Sequence, residues 1–415
     1  MGMAAARTAG ARSIQVRPVG GAEIADFVNL FEAAWGFGSA DEQRRRARAD
    51  VAGESPLGAY VGGEMAGTAM SFSMELTVPG QVQLPMAGVS YVAVHPLRRR
   101  RGVLRALMRY QLDDLYSRGV PVAGLGASEA GIYGRFGYGP ATWESSWRLA
   151  RGAARHLADP DGGPGLEMVD AAMARDLFPA VHDGVRRSQL GDVRPYPGRW
   201  DDLIGDGARR GKHFVMCRDQ DGHANGYAIY RLEREDRYSE HGTVIVDHMV
   251  ARGGTPYRRL WAYLSDMDLT DCVVAGGRPE HEPLRWALAD CRQLMVTSVR
   301  DHLWVRLIDL ATALSGRRYA AEGSLVLEVA DPFCPWNEGR WMLEGGPDGA
   351  CCRPAPGPDG VSVRLDAATL GSLFVGGTSV AHLARAGRIE GTDKSLRRAS
   401  QMFGPGMDPW CSTEF

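Results

Sequence analysis

The stretch that most restricts how this chain can fold is residues 87–119. An apolar, β-branched run, AGVSYVAV (87–94), meets His95 and Pro96, then four consecutive arginines (98–101), Gly102 and a helical pattern. The run reads as a buried strand. Pro96 ends it, because a proline has no N–H for the ladder. Leu104, Leu107, Met108, Leu112 and Leu115 recur at helical spacing, and Gly119 is a C-terminal stop. The first amides of such a helix are unpaired and, with the helix dipole, make an anion site. Gly102 removes the side chain where a phosphate approaches the backbone. Arg100 and Arg101 add charge-assisted donors, and Arg98 and Arg99 form a solvated rim. A solvated helix start also fits the arginine run taken alone. Strand, proline, arginines, glycine and amphipathic helix together favour a phosphate cradle.

A local cradle is needed because the chain as a whole is not basic. Lys and Arg number 48 against 50 Asp and Glu, a net charge of -2. That balance argues against a general nucleic-acid surface. No apolar run approaches the ~20 residues of a membrane helix, and the start, MGMAAARTAGARSIQVRPVG, has no signal-peptide core. The seven cysteines are odd in number and scattered, without a CxxC pair, which fits a reducing cytoplasm and neither a disulfide framework nor a zinc knuckle. No metal is expected: Asp247 and His248 in VDHMV read as outward polar positions of a strand.

Length alone suggests about three domains. To about residue 150, strands and helices alternate: GAYVGGEMAGTAMSFSMEL (58–76) reads as two strands joined by a Gly-Gly turn, with further strands at 120–127 and 142–150. RGAARHLADPDGGPG (151–165) reads as a linker. A second region repeats the texture, with strands at 212–219, 226–233 and 242–251 forming a meander, a helix at 257–267 and a strand at 271–276. A third region from about residue 304 has strands, then a helical SVAHLARAGRI (379–389), as in a small α+β domain. The boundaries expected are 1–152, 153–303 and 304–415. The fold class is α+β with mixed sheets.

After the strand at 120–127 comes ASEAGIYGRFGYGPATW (127–143). Gly131, Gly134, Gly137 and Gly139 make it a tight turn region. Tyr133 reads as an aromatic core anchor with its hydroxyl bonded to backbone. Ser128 is a candidate helix N-cap.

The order V-x-V-x-P-x-x-R-R-R-R-G-x-L, with Tyr133–Gly137–Tyr138 as a Y-x-x-x-G-[FY] pattern, resembles the acetyl-CoA site of the GNAT superfamily. RRRGVLRALM, ASEAGIYGRFGYGPAT, VADPFCPWNEGRW and the terminal PWCSTEF together resemble the Eis (enhanced intracellular survival) family of aminoglycoside N-acetyltransferases. The resemblance implies tandem GNAT folds, the second degenerate because it lacks an R-R-x-G cradle, followed by a sterol-carrier-protein-like domain. It also implies a homohexamer and a role in antibiotic resistance.

Residue by residue, the resemblance implies Val92, Ala93 and Val94 on the acetyl-CoA strand. It puts Arg100, Arg101, Gly102, Val103, Leu104 and Arg105 around the phosphates, and Ser128 and Glu129 at further CoA contacts. Tyr133 becomes the general acid toward the leaving thiolate. The carboxylate of Phe415 becomes the general base, its ring anchoring an otherwise mobile end. An acceptor that is a cationic polyamine or aminoglycoside calls for acidic groups such as Glu414. Phe31, Trp35 and Trp200 are candidate walls, each equally at home in a core. Two alternatives stay open: acetylation of a protein or peptide lysine, and a non-catalytic lipid-binding scaffold.

Overall fold

The computed structural model describes residues 13–415 except 37, 39–40, 159–164, 206–210, 235–240, 356, 358–359 and 405. Residues 1–12 of the N-terminal stretch and 159–164 of the expected linker thus lie outside the described residues. The chain forms two compact units. The first comprises residues up to Phe72 and Gly88–Gly119, and the second comprises Ser73–Ala87 and Val120–Phe415.

The first unit contains β1 (Ile14–Pro18), α1 (Ile24–Trp35), α2 (Asp41–Ala52), β2 (Leu57–Val61), most of β3 (Glu64–Val78), the end of β4 (Val82–Val94) and α3 (Val103–Ser117). Its strands lie in the order β1-β2-β3-β4. Gly62 and Gly63, at φ 66° and 87°, make the expected turn between β2 and β3. α3 buries Leu107, Met108, Leu112 and Leu115 of the predicted face, with Val103 buried and Leu104 only half-buried.

The second unit begins with the tip of the β3–β4 hairpin. It continues through β5 (Val122–Gly126), α4 (Ala130–Tyr133), β6 (Gly139–Pro140), β7 (Trp143–Ala150), β8 (Leu166–Val169), α5 (Ala171–Arg186), α6 (Arg199–Ile204), β9 (Lys212–Arg218), β10 (Ala224–Arg234) and β11 (Gly242–Ala251). Next come α7 (Gly254–Ser265), β12 (Cys272–Pro279), α8 (Leu284–Ala287), β13 (Leu294–Asp301) and β14 (Leu303–Leu307). The hairpin tip is tied to residues far along the chain: Thr77 N donates to Asp192 O at 2.9 Å, and Arg194 N to Glu75 O at 2.9 Å. Thr77 Oγ1 donates to Arg186 O at 2.8 Å across 109 positions.

One sheet of this unit runs β13-β7-β12-β11-β10-β9-β8. The predicted meander is its antiparallel β9–β10–β11, and β12 joins parallel to β11. Trp147 and Trp261, both fully buried with ring centroids 4.9 Å apart, centre its core. Two strands pair away from their neighbours in sequence. β7 pairs with β12 and β13, whereas β14 pairs antiparallel with β5 and β6.

The last part of the chain holds α9 (Leu310–Ser315), β15 (Gly323–Ala330), β16 (Gly339–Gly345), β17 (Ala350–Pro354), β18 (Ser362–Asp366), α10 (Ala367–Phe374), α11 (Val380–Arg385), β19 (Ile389–Gly391) and α12 (Asp393–Phe403). The sheet order is β17-β16-β15-β18-β19. Each helix starts at a short polar residue whose side chain accepts from the first turn: Asp309, Asp366, Ser379 and Thr392. The expected helix over 379–389 stops at Arg385. Gly387, at φ 69°, turns the chain into β19.

The glycine-rich turn after β5 has a packing reason. A Cβ on Gly139 would sit 1.8 Å from the Ala368 carbonyl oxygen on α10, and one on Gly137, already at φ 84°, would sit 2.7 Å from the Arg306 guanidinium. Arg306, buried on β14, holds Asp331 at 2.6 Å, and Asp331 accepts from Cys334 N at 2.9 Å. β14, this turn and the DPFCPWN loop thus share one buried joint. Gly139→Ala is expected to destabilise the fold by about 3 kcal/mol, because the obstructing atom is backbone. A denaturation midpoint equal to that of the native protein would count against this packing.

Candidate active site

In the first unit, β4 delivers Val92, Ala93 and Val94 to a short turn. His95 caps it, its ring nitrogen accepting from Leu97 N at 3.2 Å. Gly102 then starts α3 at φ 85°, a left-handed conformation that costs glycine little. Its role is this backbone turn, since a Cβ there would meet only Ile14, at 3.7 Å. The four arginines divide. Arg98 pairs with Glu64 at 2.8 Å, and Arg99 donates to Ala34 O at 3.2 Å. These two are structural links and not a free rim. Arg100 and Arg101 are exposed, with no hydrogen bond or ion pair among the described residues. Two uncommitted guanidinium groups beside an uncapped helix start suit a pyrophosphate. Val103 is buried on α3, Leu104 is half-buried and Arg105 is exposed.

Phe31 and Trp35 lie on the same side of α1, one turn apart, with ring centroids 5.5 Å apart. Phe31 also meets Tyr91 at 4.8 Å, immediately before Val92. Trp35 is 49% exposed. The pair therefore forms a partly exposed aromatic cluster beside the end of β4 rather than a closed core.

In the second unit, Tyr133 ends the short helix α4. Its ring is buried and edge-on to Tyr138 at 6.0 Å. Its hydroxyl has no hydrogen-bond partner among the described residues, so the backbone-anchored alternative is not observed. Burial, with the Glu129 carboxylate next, pushes the phenol up to about 12. Ser128 does not cap this helix. Glu129 occupies the N-cap position, without a side-chain cap bond.

The C-terminal segment is seated, not frayed. Trp410, Cys411, Ser412 and Thr413 are buried, Glu414 is exposed and Phe415 is half-buried. Trp410 donates to Leu190 O at 2.8 Å through its backbone and to Gly277 O at 2.9 Å through its indole. Ser412 meets Asp192, His182 and His248. Trp410, Ser412 and Glu414 help to line a cavity of about 300 Å³ that also touches Glu144, Asp247, Arg278, Arg300 and His302. Glu144 pairs with Arg300 and lies 3.3 Å from His302.

Two sequence readings change here. His248 does not face outward: it is buried, with Nδ1 3.1 Å from Tyr227 Oη and Nε2 donating to the Ser412 carbonyl at 3.2 Å. Burial holds its pKa well below the ordinary value, and the neighbouring His182 and Arg199 act the same way. Asp247 instead pairs with Arg231 at 3.0 Å. Trp200 sits edge-on to His182 at 5.6 Å and packs on the core of α5 and β10. The residues that sequence reasoning missed, His182, Asp192 and Ser412, are up to 230 positions apart. No local pattern joins them. Asp219, Asp221 and His223 lie close enough to share a cation, but Asp219 accepts from the backbone of the other two at 3.0 and 2.9 Å, as a tight turn does.

Known proteins resemble the chain over most of its length. Residues 15–141 and 194–307 each match an acetyltransferase (GNAT) domain family, and residues 310–412 match a sterol carrier protein domain. The N-acetyltransferase Eis of Mycobacterium tuberculosis is 36% identical over 375 residues, 86% of this chain and 88% of that protein. An uncharacterized N-acetyltransferase of Streptomyces avermitilis is 36% identical over 390 residues, 92% and 94% of the two chains. The crystal structure of Eis1 from Mycobacterium abscessus superposes with a TM-score of 0.83 at 32% identity, covering 97% of this chain and all of that one. The two GNAT domains imply use of acetyl-CoA. No helix among the described residues is long and apolar enough to cross a membrane. Matches of this extent make the chain an N-acetyltransferase that belongs to the Eis family of the GNAT superfamily.

Proposed function

We propose that the enzyme moves acetyl groups from acetyl-CoA to amines of aminoglycosides or similar cationic polyamines, at more than one position. Tyr133 is the general acid and the carboxylate of Phe415 the general base. The observation that carries this reading is the buried seating of residues 410–413, which a frayed end would lack. Arg100, Arg101 and the first amides of α3 hold the pyrophosphate, with Gly102, Val103, Leu104 and Arg105 shaping the turn. Val92–Val94 amides orient the thioester carbonyl, and Ser128 and Glu129 flank the CoA chain. Phe31 and Trp35 offer walls, and Glu414 a carboxylate for a cationic acceptor. In the same reading the three domains are 1–152, 153–303 and 304–415, and the protein is a cytoplasmic homohexamer that needs no metal and keeps its cysteines as thiols.

The chemistry balances simply. The neutral amine attacks the thioester carbon, a C–N bond forms and the C–S bond breaks. The nitrogen's surplus proton goes to the terminal carboxylate, directly or through water, and the thiolate takes the Tyr133 proton. A carboxyl of ordinary pKa about 3.5 is a weak base, so the relay works only when it is held in place. A phenol near 12 stays protonated across the working range and yields its proton only to a fully developed thiolate.

Four outcomes are expected. Tyr133→Phe lowers kcat by about 100-fold or more with little loss of stability, since the hydroxyl anchors nothing. In the native enzyme the kcat–pH profile shows no descending limb from Tyr133 below about pH 10, and a limb lost in Tyr133→Phe would refute that. Replacing Arg100 and Arg101 together by Ala raises the acetyl-CoA KM by about tenfold with kcat nearly unchanged. Extending the chain by a few residues past Phe415 abolishes thiol release with kanamycin as acceptor. Equal activity of the extended form would place the base elsewhere, and turnover of a lysine peptide alone would favour a protein acetyltransferase.

A further inference from the structure

Ser412 has every polar group satisfied by a buried side chain from another part of the fold. Its N–H donates to Asp192 Oδ1 at 3.0 Å. Its hydroxyl lies 3.1 and 2.9 Å from the two Asp192 oxygens and 2.9 Å from His182 Nε2. Its carbonyl lies 3.2 Å from His248 Nε2. Asp192 is 0% exposed, His182 1% and His248 8%.

The protons have one consistent arrangement. The serine hydroxyl has one hydrogen, and a carboxylate can only accept, so that hydrogen goes to Asp192. His182 Nε2 must then be the donor to Ser412 Oγ. Its Nδ1 is buried and unpartnered, which suits the neutral ring with its proton on Nε2. Against a carbonyl, His248 must also donate from Nε2, so its Nδ1 accepts from Tyr227 Oη at 3.1 Å. Asp192 has no arginine or lysine partner among the described residues. Its charge is held by Ser412 and by its own chain neighbour Val193 N at 2.9 Å.

We propose that Asp192, His182 and His248 form a clamp on Ser412 that fixes where the last residue can place its carboxylate. They are positioning residues for the proposed base, and this inference rests on that reading. Three residues of extended chain reach only about 10 Å. Fixing Ser412 therefore restricts the terminal carboxylate to a small volume, and a near-attack position is worth large factors in rate. The clamp is costly if it lacks that use. It buries a carboxylate and two imidazoles to hold one serine near a chain end, where most chains fray.

The test compares native enzyme with Ser412→Ala, Ser412→Thr and His182→Gln, using acetyl-CoA and kanamycin, and measures release of Phe415 by a carboxypeptidase. Expected in Ser412→Ala are a kcat lower by about 30-fold or more, an acetyl-CoA KM within twofold, and release of Phe415 faster by about tenfold. Ser412→Thr, which keeps the hydroxyl, recovers most of the kcat. Unchanged kcat and unchanged release in a folded Ser412→Ala protein overturn the clamp, as does a lower kcat with native release. Should Ser412→Ala not fold, His182→Gln is judged by the same two criteria. A separate variant lacking residue 415 distinguishes the two ideas. If it retains full activity the base reading fails, while the release rates still decide whether the clamp exists.

Discussion

A single residue, Asp192, joins the β3–β4 hairpin to the end of the chain within the second unit. Its backbone carbonyl accepts from Thr77 in the β3–β4 hairpin, and its side chain binds Ser412 near the end of the chain. A buried charge with no cationic partner at ordinary distance is stable only if its lone pairs are filled. Here backbone and hydroxyl donors fill them. Those donors come from segments that the carboxylate thereby forces into register. A packed apolar group would tolerate small shifts, but a buried carboxylate loses a hydrogen bond with each one.

A second buried joint performs the same service around Tyr133. Arg306 and Asp331 pair inside the protein, and the turn that carries Tyr133 passes so close that Gly137 and Gly139 have no room for a Cβ. Breaking such a pair leaves an uncompensated charge, so it fixes arrangement more than it adds stability. Tyr133 and the C-terminal segment are thus each held by polar contacts that leave little slack. The first unit differs. Its candidate phosphate cradle consists of exposed arginines, whose freedom suits a ligand that must arrive and leave.

Local features of this design were legible in the sequence. The strand at 87–94, the proline stop and the helix after Gly102 follow from periodicity and backbone chemistry within thirty or so residues. The same holds for the Gly-Gly hairpin and for the Asp, Ser and Thr caps of the last helices. The division of the arginine run was legible, but the partners of Arg98 and Arg99 were not, because Glu64 and the Ala34 carbonyl lie outside the motif. Nor did alternation reveal that β7 and β14 pair with strands distant in sequence, since periodicity tells which face is buried and not against what. His248 was misjudged for a related reason. A histidine next to an aspartate in a strand looks outward until its two partners, Tyr227 and the Ser412 carbonyl, are known.

The hairpin between β3 and β4 has one more consequence, for the order of folding. Its tip leaves the first unit and pairs with the segment around Arg186–Arg194. The Thr77–Arg186 bond spans 109 residues. At common rates of synthesis that delay is on the order of ten seconds. During that time a long β-ribbon has been made whose outer half has nothing to pair with. Closing so long a loop is slow, and exposed ribbon edges invite association with other chains. A nascent chain of this protein therefore passes through an interval of vulnerability set by topology, not by stability. Truncation at any single point between residues 88 and 186 leaves that ribbon tip without the partner it folds against.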